Sequence, residues 1–315
     1  MNGLSKGSVT WTEVDEGAQG QRIDNFLLKT LKGVPKSHVY RILRSGEVRV
    51  NSGRVDATYR LEIGDRIRIP PVRVSQSKAP ARRSGPKLAV APLFEDEYLL
   101  VINKPTGVAV HGGSGISAGA IERLRLERPA LNFLELVHRL DRDTSGVLLL
   151  AKKRAALTAM HAQLRNGQVD KRYLALVVGR WRNKKQRVDL ALHKFVTRSG
   201  ERRVAVDDEG AESQTIFRLK QSWADLSLLE AELKTGRTHQ IRVHLAHLGF
   251  PIAGDDKYGD FPVNKLLAVR GLKRMFLHAA KVTFRHPETG DRVQIEAPLP
   301  ADLSSFTDGL EAKPE

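Results

Sequence analysis

The chain has 315 residues, enough for about two domains at roughly 100–200 residues each, and its 41% hydrophobic content excludes a wholly disordered polymer. Cysteine is absent, which excludes disulfide scaffolds, thiolate nucleophiles and cysteine-ligated metals, and no apolar run approaches the ~18 residues of a membrane span. Lys and Arg total 52 against 36 Asp and Glu, a net charge of +16 that favours a polyanionic partner, nucleic acid ahead of anionic lipid.

Residues 1–20 read as a polar N-terminal tail without a secretory apolar segment, in which 8–11 could form a peripheral strand; a soluble, cytoplasmic protein is expected. Residues 21–72 read as a small α/β unit. Ile23, Phe26, Leu27 and Leu31 share one helical face, and Pro35 ends it. Ser37 is a candidate cap for a second helix with Val39, Ile42 and Leu43 inward and Gly46 just past its end. Val48 and Val50, then Ile67 and Ile69, alternate with polar residues as strands do. This unit carries eleven Lys/Arg against five Asp/Glu. Its helix cations Arg22, Lys29, Lys32, Lys36, Arg41 and Arg44 lie off the apolar face, which points to an RNA-facing surface over a merely solvated one.

Residues 73–87 hold five Lys/Arg and no acid among Ser, Ala, Pro and Gly, the composition of a basic flexible linker. Residues 88–303 read as one larger domain, followed by a frayed C-terminal tail at 304–315. Strands are expected at 98–103, 147–152, 171–178, 215–219, 225–233, 281–285 and 291–296, and helices at 118–126, 154–165 and 239–248. Strands interspersed with few helices give an α+β class with a mixed or antiparallel central sheet flanked by helices.

Three polar clusters could carry chemistry. The first is Val137-His138-Arg139-Leu140-Asp141-Arg142-Asp143-Thr144-Ser145-Gly146, wedged between Phe133-Leu134 and the apolar run from Val147. A loop entering a buried strand can aim a carboxylate into a cleft; a salt-bridged turn is the competing reading. The second is Thr235-Gly236-Arg237-Thr238-His239-Gln240-Ile241-Arg242-Val243-His244, with Thr238 a candidate N-cap, His239 and Arg242 within the helix, and arginines suited to orient a carboxylate or phosphate. His244 and His247 lack a third ligand, so no metal is expected. The third, Asn103-Lys104-Pro105-Thr106-Gly107 through Gly113, matches no nucleotide-binding loop and reads as a tight turn beside the cleft. Tyr173 sits on an apolar strand, where periodicity alone makes it a core residue.

These residues identify the chain as resembling the RluA-type pseudouridine synthases. His138-Arg139-Leu140-Asp141 with Thr144-Ser145-Gly146, the Asn103-Lys104-Pro105 turn, Lys171-Arg172-Tyr173 and the Gly236–His244 stretch match the family's motifs in order, and residues 21–72 resemble an S4 RNA-binding domain. The resemblance covers residues 20–300. It implies a pseudouridine synthase fold behind an S4 domain, and isomerisation of several uridines in large-subunit (23S) ribosomal RNA during ribosome biogenesis. It implies Asp141 as the catalytic aspartate, Arg242 as its paired arginine, Tyr173 packed on the flipped base, and Arg139 entering the RNA stack. His138, Arg237, Lys36, Arg41 and Arg44 are added as RNA-binding candidates.

The chemistry needs no cofactor and no metal, because nothing is oxidised and no group is imported. Asp141 would act as nucleophile at C1′ or as base at C2′. The expected partner is ribosomal RNA, and the expected state is a monomer with no membrane association. A non-catalytic RNA-binding or assembly factor, and a synthase acting on tRNA, are the competing functions.

Overall fold

The computed structural model describes residues 8–15, 18–31, 33–72, 87–112 and 118–310. The linker expected at 73–87 (Lys87 excepted), Lys32, and Gly113 to Gly115 lie outside the described residues. The described chain falls into two units, one running to Val72 and including Ala130–Phe133, the other taking the remainder from Lys87.

In the first unit α1 (Ile23–Thr30) buries Ile23 and Leu27, and Leu31 just beyond, as the apolar spacing requires. Helix α2 (Lys36–Arg44) buries Val39, Ile42 and Leu43 against it. Pro35, not Ser37, occupies its N-cap position; the proline's fixed φ suits that extended residue, and Ser37 falls inside the first turn. Strands β1 (Thr10–Glu13), β2 (Arg49–Val50) and β3 (Arg66–Ile69) form an antiparallel sheet in the order β1-β3-β2, with Val50, Ile67 and Ile69 turned to the core. The expected tail at 1–20 is therefore too long. Residues 10–13 are a paired strand, and Val14 and Ala18 are buried because they fill the same core.

The second unit is built on a mixed sheet. In chain order come β4 (Pro92–Glu95), β5 (Leu99–Lys104), α3 (Ala120–Glu127), β6 (Glu135–Leu136), β7 (Ser145–Ala151), α4 (Arg154–Arg165) and β8 (Asp170–Val178). Then follow β9 (Lys185–Asp189), β10 (Leu192–Val196), β11 (Arg202–Val206), β12 (Gln214–Ser222), β13 (Leu226–Leu233) and α5 (Gln240–His247). The last elements are α6 (Phe261–Val269), β14 (Leu277–Arg285), β15 (Arg292–Glu296) and α7 (Ala301–Asp308). Strand order is β4-β5-β7-β14-β8-β13-β12-β9, with β15 added beside β14 and β6 beside β7. The pair β7–β14 is parallel and its neighbours are antiparallel. Strand β7 is buried along its whole length, which is why it reads as a continuous apolar run.

The frayed tail expected at 304–315 is corrected over its described part. Leu303 and Phe306 on α7, and Leu310 just past its end, are buried with Trp223, Leu267 and Phe276. Short or half-exposed elements (β4, β6, β9, the β10–β11 hairpin and α6) carry too little alternation to be read from sequence.

Two backbone features position the site. Gly146 has φ +112, and a Cβ there would lie 2.2 Å from the Ala279 carbonyl oxygen, so only glycine permits β14 to approach β7 this closely. Ala279 pairs with Gly146 on one side and with Tyr173 on the other. The loop preceding β7 and the ring of Tyr173 are thereby set at the same level of the sheet.

Candidate active site

Loop 137–144 delivers Asp141 to a cavity of about 380 Å³, within the range of small-molecule pockets. His138, Arg139, Asp141, Tyr173, Arg237 and Arg242 all line it. Each motif contributes differently. The Asn103-Lys104-Pro105 turn does not line the cavity but braces the loop that does. The Lys104 side chain is fully buried, and its ammonium donates to the carbonyl oxygens of Pro105 (2.9 Å), Val108 (2.8 Å) and Arg142 (3.0 Å). Burial pulls its pKa down to about 7, while three acceptors are arranged to take all three ammonium protons. Thr106 Oγ1 donates to the Asp143 carbonyl (2.9 Å), a second tie on the same loop.

Arg242 lies on the buried face of α5. Its Nη1 donates to Asp141 Oδ2 at 3.3 Å, and its Nε and Nη2 grip both carboxylate oxygens of Asp255 at 2.7 Å each. The guanidinium side chain is 5% exposed and that of Asp255 0%. Burial works against the arginine's charge, but the hydrogen bonds and charge of Asp255, with Asp141 beyond, outweigh it and hold the pKa above its ordinary range. Burial likewise disfavours the Asp255 anion, yet Arg242 and the Lys257 and Tyr258 amides hold its pKa below the usual carboxylate range. Asp255 thus fixes the arginine in a bidentate fork and leaves one guanidinium edge for Asp141.

Tyr173 is 7% exposed, and burial followed by the charge of Asp141 raises the pKa of its phenol, which stays neutral. His239 precedes α5 rather than lying within it, and it occupies the left-handed region at φ +55. Such backbone strain in a non-glycine residue persists where surroundings over-determine it. Here Tyr258 Oη accepts from the Val204 amide (3.0 Å) and lies 2.8 Å from His239 Nδ1. With the phenol donating to Nδ1, the imidazole proton sits on Nε2, 3.8 Å from Asp141 Oδ2. The opposite tautomer would point a lone pair at the carboxylate. Burial lowers the His239 pKa against the pull of Asp141, so the ring is neutral at pH 7.

Thr238 is not the N-cap it was expected to be: His239 holds that position without a side-chain cap bond, and Gln240 at the first helical position ties the preceding loop. Its Oε1 accepts from the Arg237 amide (2.9 Å) and Thr235 Oγ1 (2.8 Å), while Nε2 donates to the Gln214 carbonyl and Thr215 Oγ1.

His138 is uncharged at the cavity wall. Its Nε2 accepts from the Leu149 amide at 3.2 Å, which requires that nitrogen to be unprotonated, and burial, with Lys171 nearby, takes its pKa to about 4. It is a neutral strut between loop and strand. Arg139 and Arg237 are exposed, Arg237 tied through Nε to the Glu212 carbonyl (3.0 Å). Lys36, Arg41 and Arg44 are exposed on α2 of the other unit, Arg41 beside Glu47 at 3.4 Å. Asp24 is buried and holds Arg22 (2.7 Å) and the Tyr40 hydroxyl (3.1 Å), so Arg22 leaves the set of unshared cations. Among the described residues no group of three or more His, Asp or Glu is placed to hold a metal ion, and no helix is long and apolar enough to cross a membrane.

Sequence reasoning missed Asp255 and Tyr258. Their signal was a run of polar residues, Asp255-Asp256-Lys257-Tyr258 between two glycines, directly after apolar Ile252-Ala253.

Comparison with known proteins places the chain in a family. Residues 98–247 match the family model "RNA pseudouridylate synthase", and residues 21–67 match "S4 domain". The chain is 53% identical over 97% of its length to "Ribosomal large subunit pseudouridine synthase C" of Salmonella typhi, covering 98% of that protein. It is 52% identical over 94% of its length to the protein of the same name from Escherichia coli K12, covering 95% of it. Among solved structures, the human protein "RNA Pseudouridylate Synthase Domain Containing 1" superposes with a TM-score of 0.57 at 26% identity, over 69% of this chain and 86% of that one.

Proposed function

The chain belongs to the RNA pseudouridylate synthase family, and from that premise we propose that it isomerises several uridines of large-subunit (23S) ribosomal RNA to pseudouridine in the cytoplasm. The observation that carries the reading is the Asp141 carboxylate held 3.3 Å from a buried arginine at the wall of a cavity that also holds Tyr173.

The target base first leaves its stack, at a cost of a few kcal/mol. Arg139, exposed at the cavity, fills the vacated place, and packing on the Tyr173 ring, at roughly 1–3 kcal/mol per base, offsets the rest. Asp141 then acts on the sugar, as nucleophile at C1′ or as base at C2′. The C1′–N1 bond breaks, the base turns within the cavity, and C5 bonds to C1′. N1 gains a proton and C5 gives one up. Atoms and electrons therefore balance with no cofactor. Arg242 holds the carboxylate in place as charge shifts around it, and the neutral Tyr173 phenol adds no second anion beside it. Arg237, Lys36, Arg41 and Arg44 supply phosphate contacts, which add affinity without selecting sequence.

The test replaces Asp141 with Asn and with Ala in a strain lacking the wild-type protein, followed by pseudouridine mapping of its 23S RNA. Loss of the modifications is expected; normal modification by either variant overturns the assignment.

A further inference from the structure

The outer face of the small sheet has a composition that the fold does not require. In the β1–β3 register Trp11 lies opposite Arg68 and Glu13 opposite Arg66, and in the β2–β3 register Arg49 also lies opposite Arg68. Residues directly opposite share a face, so Trp11, Arg68 and Arg49 form one row across all three strands, with Arg66 and Glu13 beside it. Trp11 is 48% exposed, and the Arg66 guanidinium carbon lies 5.4 Å from the centre of its indole. The reverse face carries Val50, Ile67 and Ile69 and is buried in the core.

A lone exposed tryptophan is unremarkable. Two arginines placed directly opposite each other are different, because like charges in that position destabilise a sheet. Arg68 relieves part of this by donating to the Glu47 carbonyl (2.7 Å), a neutral acceptor that leaves its charge intact. The face therefore presents three guanidinium groups and one flat apolar ring against a single carboxylate. Arg49 and Arg66 lie within the stretch that matches the S4 model, residues 21–67, while Trp11 comes from the strand that precedes it.

We infer that this sheet face is an RNA-contact surface separate from the cations of α2, taking a single-stranded segment by stacking one base on Trp11 and setting its phosphates against Arg49, Arg66 and Arg68. Charge complementarity commits the occupant to nucleic acid, and an aromatic platform ringed by cations is the chemistry that holds unpaired bases without reading their sequence. The inference rests on the ribosomal RNA reading above and adds a second grip on that RNA.

The experiment uses the full-length chain and a naked large-subunit rRNA transcript. Affinity is measured at several salt concentrations, pseudouridine formation on the same transcript, and melting temperature for every variant. Trp11→Leu should weaken binding by about tenfold with the salt slope unchanged, whereas Trp11→Tyr, which keeps a ring, should bind within about twofold of wild type. The double variant Arg49→Ser/Arg66→Ser should flatten the salt slope by roughly 0.7 for each phosphate released. At saturating RNA all three should turn over at the wild-type rate. Equal binding by the Leu and Tyr variants removes the stacking role, and a wild-type salt slope in the double arginine variant removes the phosphate contacts; either result overturns the proposal. So does wild-type affinity of every variant for the transcript with a loss on protein-containing ribosomal particles assayed in parallel, which would assign the face to a protein partner. A wild-type chain that binds the transcript yet forms no pseudouridine strikes the functional reading alone.

Discussion

The cavity and the small N-terminal unit both concentrate positive charge, but they hold it in opposite ways. The charge that touches Asp141 is buried and shared, with Arg242 locked between two carboxylates and 5% exposed, while Arg139 and Arg237 stand exposed at the cavity. Lys36 and Arg44 on α2, and Arg49 and Arg66 on the outer face of the three-stranded sheet, are exposed to whatever approaches. Buried pairs lose several kcal/mol per ion on leaving water and recover it only through geometry, so removing one partner is severe. Exposed cations are screened by salt and replaceable one at a time. Chemistry thus resides where charge is dear, and affinity where it is cheap.

The sharpest way to break this contrast is Asp141→Ala. Turnover should fall by at least about a thousandfold, the scale on which loss of an acting group is felt, while affinity for rRNA stays within about threefold. Single-turnover assays and filter binding on one preparation separate the two. A large loss of affinity would make Asp141 a structural residue and erase the distinction.

Next in size is Asp255→Asn. It leaves the buried Arg242 guanidinium with Asp141 as its main counter-charge, and loss of a partner from a buried pair costs about 3–5 kcal/mol. Calorimetry should show a marked drop in melting temperature, with turnover reduced even where the protein remains folded. A variant as stable and as active as wild type would show that Arg242 needs no second carboxylate.

A pH dependence follows from His244, which is fully buried and pushed by burial to a pKa of about 4 from 6.5. Below pH 6.5 the unfolded chain takes up a proton that the folded one refuses, so stability falls as pH drops from 6.5 towards 4, by about 3 kcal/mol across the window. Melting curves between pH 4 and 7.5 should flatten in His244→Gln. The smallest effects belong to α2. Lys36→Ala or Arg44→Ala should each weaken rRNA binding only a few-fold and reduce the salt slope by less than about one, with the melting temperature unchanged. Arg41→Ala should alter stability by under about 0.5 kcal/mol, since its contact with Glu47 is a surface pair.

The same contrast explains what could be read without coordinates. Apolar periodicity located α1, α2, α4 and the buried strands, because burial on a face is written into residue spacing. The dense polar motifs around Asp141 and Arg242 stood out for the converse reason, since charge set between apolar runs is costly unless it serves something, whereas Tyr173 read as a core residue and only the family resemblance implied a place for it at the site. Asp255 was not legible, because its importance depends on which arginine it meets across a fold. Nor was α7, whose Leu303 and Phe306 matter only once Trp223 and Phe276 are present to receive them. The neutral state of His138 was hidden as well, because only the fold shows the Leu149 amide occupying its lone pair.

Gly146 carries a further lesson about tolerance. The space where its side chain would stand is filled by an oxygen of the adjoining strand. Even a methyl there would act as a wedge, prising the parallel pair apart and tilting the loop that presents the acid. A search for silenced yet stably folded enzyme would therefore return this position, although it bears no proton, no charge and no hydrogen-bonding side chain.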